Sequence, residues 1–138
     1  MIFFALPSWG SDLQNAINEI FPNQIKVYGV QIIGTEITPP KDIKKAARIL
    51  KQWLDNDGDE KPDNSLVVNE LIENNAILAM GKTENDLEES FDNLIDVLEA
   101  SDVDVDNFER SLIGLISDEP NIAYLEEILH LVTQVGYA

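Results

Sequence analysis

The sequence predicts an α+β fold, a single compact domain over residues 1–138 with about four helices packed on a small sheet. Three observations carry that expectation. The stretch Ile25–Thr38 is rich in β-branched residues and free of proline, as one strand or a pair of strands requires. Several later segments repeat apolar residues every three or four positions, the period of an amphipathic helix. With 138 residues, 44% of them hydrophobic, the chain is long enough to bury a core without staples.

Met1-Ile2-Phe3-Phe4-Ala5-Leu6 is too short for a signal-peptide core and has no basic residue ahead of it, so it reads as a first strand or a docking segment. Within Ile25–Thr38, Gly29 or Gly34 marks the kink if two strands form. Pro39-Pro40 ends the strand and opens a helix, since proline is tolerated in a first helical turn. Ile43, Ala46, Ala47, Leu50, Trp53 and Leu54 make that helix's buried stripe. Lys41, Lys44, Lys45, Arg48 and Lys51 lie largely off the stripe as a solvated basic face. Leu66, Val67, Leu71 and Ile72 predict a second helix ending near Asn74-Asn75, and Ala76–Met80 a buried strand closed by Gly81.

Thr83 with Asp86 resembles a capping box with the shorter acid. It opens a third helix carrying Leu87, Phe91, Leu94, Ile95 and Leu98, whose outer acids have no basic partners at i+4. Ser101–Asp106 alternates and reads as a polar, charged edge. Residues 108–116 fit strand or helix equally. Ser117 or Asp118 caps a last helix with Pro120 in its first turn, Ile122, Leu125, Ile128, Leu129 and Val132 as its apolar face, and Gly136 at its end.

Charge narrows the function classes. The net charge is −17, and residues 84–138 hold 15 acids against the single base Arg110. Such a surface does not bind nucleic acid through its phosphates and disfavours anionic membranes; a cation or a basic protein suits it better. No apolar run approaches the roughly 20 residues of a membrane span. The absence of cysteine removes disulfides, thiolate metal sites and cysteine nucleophiles. No serine triad or glycine-rich phosphate loop is visible.

The densest chemistry lies in Asp55-Asn56-Asp57-Gly58-Asp59-Glu60-Lys61-Pro62-Asp63. Counting Asp55 as position 1, Asp57, Asp59 and Asp63 fall at positions 3, 5 and 9, and Lys61 offers a carbonyl at 7, an oxygen set of the kind Ca2+ takes. Two positions depart from an EF-hand loop: Glu60 stands where the turn glycine belongs, and Leu66 where the closing bidentate glutamate belongs. Water or distant groups must then complete the shell. The competing reading is a plain polar turn, because Asn, Asp, Gly and Pro are also turn formers.

A second candidate site surrounds the lone histidine. Glu126 and Glu127 precede His130 by four and three residues, so on a helix both carboxylates can converge on the imidazole, with Glu119 upstream as a further ligand. Zn2+ or another transition metal accepts such a mixture. The alternative is a histidine placed near a helix C-terminus by the dipole and paired with a glutamate.

Three stretches taken together resemble one family. They are Val27–Thr35, the run from Ala46-Ala47 through the aspartate loop to Asn64, and Leu125–Thr133 with Gly136-Tyr137. The family is a group of largely uncharacterised microbial proteins, often secreted, with a Leu-Asp-Asn-Asp-x-Asp-Gly-x-x-Asp-Asn acidic loop and a later Glu-Glu-x-x-His-Leu helix. The resemblance implies that loop and helix share a metal-dependent role, outside the cell. Members continue past the Gly-Tyr, whereas this chain stops at Ala138, and any ligand from that continuation is absent here. The loop alone also resembles the calcium repeats of thrombospondin-type proteins. Three functions follow: a non-enzymatic calcium-binding domain that stabilises a fold or an assembly of copies, a metal-dependent hydrolase with Glu126 or Glu119 as general base, and an acidic protein that mimics nucleic acid or docks a basic partner.

Overall fold

The computed structural model describes residues 11–100, 106 and 112–135. The expectations for Met1–Leu6, for residues 101–105 and 108–111, and for Gly136 lie outside them; Asp106, expected on a polar edge, is helical. The chain runs α1 (Ser11–Ile20), β1 (Asn23–Val27), β2 (Val30–Gly34), α2 (Pro40–Leu54), α3 (Ser65–Glu73), β3 (Ile77–Gly81), α4 (Glu84–Glu99), β4 (Leu112–Ile116) and α5 (Asn121–His130), with a π-helical turn at Leu131–Val135. The expected α+β architecture is therefore present. The segment ahead of Ile25 adds a helix, α1, that the apolar periodicity does not single out.

The four strands lie in the order β1-β2-β3-β4, with β1 antiparallel to β2 and the other pairs parallel. Val27 pairs with Val30, so β1 and β2 are joined by the two residues Tyr28 and Gly29, both at positive φ (50° and 88°). That is the type I′ geometry whose twist matches a hairpin. Glycine adopts it freely, whereas tyrosine does so at a cost.

Because side chains alternate across a sheet, β2, β3 and β4 each feed two cores, while β1 turns Ile25 and Val27 to the first of them. Val30, Ile32, Leu78, Met80 and Leu115 pack with α2, α3 and α5 on one face. Ile33, Ile77 and Ala79 pack with Ala16, Ile17 and Phe21 of α1 and Leu87, Leu94 and Leu98 of α4 on the other. The crossovers β2–α2–α3–β3 and β3–α4–β4 step the same way across the sheet but over opposite faces. They must have opposite hand, so one of them is left-handed, against the strong preference for right-handed crossovers.

Local signals explain most boundaries. Pro39 sits at the N-cap of α2 and Pro40 at its first position, as expected. Thr83 caps α4 by accepting from Asp86 N. Asp86, however, does not close a box on Thr83: its carboxylate accepts from Lys82 N at 2.9 Å and from Thr35 Oγ1 at 2.6 Å. Thr35 and Thr38 are buried, with their hydroxyls 2.8 Å apart, and Thr38 donates to the Met80 carbonyl.

Three expectations need correction. Neither Ser117 nor Asp118 caps α5, which has Pro120 at its N-cap and no side-chain cap. Ser117 is still part of the sheet's end, its N–H bonded to the Gly81 carbonyl and its hydroxyl to Asp42. Leu66 and Ile72 are exposed, and α3 buries Val67, Val68 and Leu71 instead. On α5 and the π-helical turn that continues it, Ile122, Leu125 and Leu129 face outward while Tyr124, Ile128, Leu131 and Val132 are buried. Periodicity misplaces the stripe because Tyr124 takes the central position. Its ring is fully covered, its hydroxyl donates to the Ser117 carbonyl at 2.7 Å, and Lys45 Nζ lies 4.0 Å from its centroid. Burial pushes the Tyr124 hydroxyl up to about 12, with Asp42 adding to the effect.

Candidate metal centre

The aspartate loop joins α2 to α3, so two helices flank it as they flank an EF-hand loop. Its entry is fixed by α2, whose last turn continues through Asp55 N donating to the Lys51 carbonyl. Its exit is fixed by Asn64, which caps α3 by accepting from Leu66 N and Val67 N. The two ends are tied together, since Asp63 N donates to the Leu54 carbonyl at 2.7 Å and Asn56 N to Asp63 Oδ2 at 2.7 Å.

Asp55 organises the interior. Its side chain is buried, 4% exposed, in an otherwise open loop. Oδ1 accepts from Gly58 N at 3.0 Å and Asp59 N at 3.3 Å, and Oδ2 accepts from Glu60 N at 3.0 Å and the Tyr28 hydroxyl at 3.1 Å. Asp57 and Asp59 each accept from the backbone N–H two residues on. The ligand atoms of Asp55, Asp57, Asp59 and Asp63 all lie within 4.8 Å of one another, and the four together could hold a metal ion.

The electrostatics of the loop are those of crowded carboxylates. Burial alone would raise Asp55, but hydrogen bonds from the Asp57 side chain, Tyr28 and the Glu60 and Asp59 amides outweigh it and hold the carboxyl below its usual range. Asp57 is shifted the other way. The Asp59 amide favours its charged form, but contact with Asp55, burial and the Asp59 charge together raise it. Ionising Asp57 therefore costs the folded state, a cost absent at low pH and present once the pH rises above its folded value. A bound cation would reverse that sign. Lys51, in the last turn of α2, is turned to Glu60 Oε2 at 2.7 Å and also feels the charge of Asp55.

Glu60 has a φ of +67°, the left-handed conformation that position 6 of such a loop demands. The backbone turn is thus made without its glycine, at a strain of about 1 kcal/mol. Glu60→Gly is expected to remove that strain, at the loss of an exposed ion pair that contributes little and with a partial offset from the glycine's added freedom in the unfolded chain. The melting temperature should rise by about 2 °C, and a drop on calorimetry would contradict the strain argument.

Trp53, expected in the buried stripe of α2, is 41% exposed. It lines a cleft of about 110 Å³ with Leu54, Asn56, Asp63, Asn64, Val67 and Val132. The end of α5 thereby reaches the aspartate loop through Val132. His130 does not share that approach: two residues earlier, it lies roughly 200° away around the helix and is half exposed. Its Nδ1 is 3.7 Å from Glu127 Oε2, while Glu119 and Glu126 are exposed. Among the described residues, the group of three or more such ligands that comes together is the aspartate cluster. Tyr28 is the site residue that sequence reasoning missed, being 27 positions from the Asp55 it bonds. Lys61 is exposed, and its amide is directed to Asp59 Oδ1. Comparison of the chain with protein-family models, with curated proteins and with solved structures gave no match.

Proposed function

We propose that this chain is a non-enzymatic calcium-binding domain in which the ion at Asp55, Asp57, Asp59 and Asp63 ties α2, α3 and the β1–β2 turn together. The observation that carries the reading is the convergence of four carboxylates on the loop between two helices. Clustered hard oxygens of this kind suit Ca2+ better than Zn2+, which takes nitrogen and sulfur ligands more readily. The Lys61 carbonyl and water would fill further positions. Without an acid at Leu66 the shell lacks its bidentate ligand, which places the affinity in the weak range of about 10⁻⁴–10⁻³ M that serves extracellular modules. The resemblance to often-secreted proteins supports the same setting.

Thermal melts in calcium and in chelator test this. At about 10 mM calcium, an affinity in that range stabilises the fold by roughly 1.5–3 kcal/mol, a rise of several degrees in Tm. Mg2+, which demands a tighter octahedral shell, is expected to do less. Identical melting temperatures with calcium and with chelator would sink the proposal.

A further inference from the structure

α2 and α5 lie side by side on one face of the sheet, joined by Lys45 to Asn121 and by Lys45 over the Tyr124 ring. Their outward surface carries an apolar seam. From α2 it receives Trp53 and the partly buried Ile49, and from α5 Ile122, Leu125 and Leu129, which are 60%, 42% and 36% exposed. Four large apolar side chains left open along two neighbouring helices exceed the scattered exposure that is normal for a surface.

The charges on either side of that seam are opposite. α2 carries five bases against one acid, with Lys41, Lys44 and Arg48 exposed. The segment from Ser117 to His130 carries four acids and no lysine or arginine, with Asp118, Glu119 and Glu126 exposed. At 3.6 residues per turn, Leu125 and Leu129 fall on the side of α5 toward α2 and Glu126 beyond them, while Asp118 and Glu119 are exposed in the turn that leads into α5. The order across the surface is therefore basic rim, apolar seam, acidic rim.

Such a surface is complementary to itself. We infer that a second copy of this chain covers it, through a two-fold axis that runs along the seam in the plane of contact and so lays each basic rim on the partner copy's acidic rim. A two-fold contact uses one patch on both subunits, and a patch of opposite rims satisfies that requirement. It also answers the objection that a chain of net charge −17 repels itself. At physiological salt the overall field is screened beyond about 8 Å, while contacts at the interface are not. The 15 residues of α2 extend about 22 Å. With a second helix beside it at 8–10 Å, the face buries roughly 1,000 Å² in total, the low end of specific interfaces. The dimer is therefore weak and reversible. Neither rim contains a loop aspartate, so its test is separate from the calcium reading, although Trp53 at the end of the seam also lines the cleft beside Asp63.

Sedimentation velocity from roughly 5 to 500 µM chain tests the arrangement. Wild type is expected to pass from monomer to dimer in that range, and Leu125→Asp to stay monomeric with its melting temperature unchanged. Lys41→Glu with Arg48→Glu makes both rims acidic, and Glu119→Lys with Glu126→Lys makes both basic. Each of these double variants is expected to be monomeric alone, and an equimolar mixture to form a one-to-one dimer. A wild type that stays monomeric throughout overturns the inference. So does a monomeric wild type that Leu125→Asp destabilises, which would put the seam's cover within the same chain. Reversed variants that dimerise alone, or fail to pair when mixed, overturn the two-fold arrangement.

Discussion

Gly81→Ala is expected to destabilise the protein by about 3 kcal/mol and to lower its melting temperature by about 10 °C. Gly81 ends β3, and the first turn of α4 packs directly on it. A Cβ at this position would stand 2.6 Å from Leu87 Cβ and 2.9 Å from both Leu87 Cα and Leu87 N. Two of those atoms are backbone, so no rotamer change relieves the contact and α4 must move as a body. Leu87 lies in the core that α1, α4 and the sheet share, Thr83 caps the same turn by accepting from Asp86 N, and the Asp86 carboxylate accepts from Lys82 N and Thr35 at the strand ends. Alanine's smaller chain entropy in the unfolded state returns less than 1 kcal/mol, so overpacking decides the sign. A variant melting within a degree or so of wild type would show that α4 is not seated on β3 in this way.

Asp55→Asn and Asp57→Asn are expected to part company, although both remove one charge from the same cluster. In Asp55→Asn the new side chain keeps one acceptor oxygen but presents an amide to the Glu60 N–H, so the loop loses both its organiser and a ligand. Calcium affinity should fall by at least about tenfold, because charge count and ligand placement set it, and melting in chelator should fall as well. Asp57 is the carboxyl whose ionisation the loop opposes. Asp57→Asn removes that cost at neutral pH, so melting in chelator should rise while the calcium response shrinks. The pair of variants separates a cation site from a plain turn. If both shift the chelator and calcium melts equally, the carboxylates are not gathered around an ion.

How much of this was legible in the sequence depends on the range of the cause. Pro39-Pro40 and Thr83 mark helix starts correctly because their effects are carried by the residue itself and its nearest amides. Ala76–Met80 is recognisable as a buried strand because both of its faces are covered. The aspartates of the loop converge as their spacing suggests. What fails depends on partners far along the chain. Leu125 and Leu129 fit an apolar period, but Tyr124 claims the interior through Ser117 and Lys45, neither of which the helix pattern contains. Tyr28 is a strand residue by propensity. Only the fold reveals it as a turn residue in the left-handed region that reaches Asp55. Periodicity likewise cannot register that Trp53 stands at the rim of a loop and not under a helix.

The opposite-handed crossovers bear on where a ligand would sit. In open sheets with parallel strands, small molecules enter the crevice at the strands' carboxyl ends, where neighbouring connections depart to opposite faces. Here that switch point falls between β2 and β3, since the chain leaves β2 toward α2 and leaves β3 toward α4. The protein fills it with its own groups. Thr35 bridges to Asp86 and Thr38, Thr35 N and Thr38 Oγ1 both bond the Met80 carbonyl, and Gly81 admits Leu87 against the strand. The address that this architecture usually reserves for a substrate is taken by a hydrogen-bonded plug.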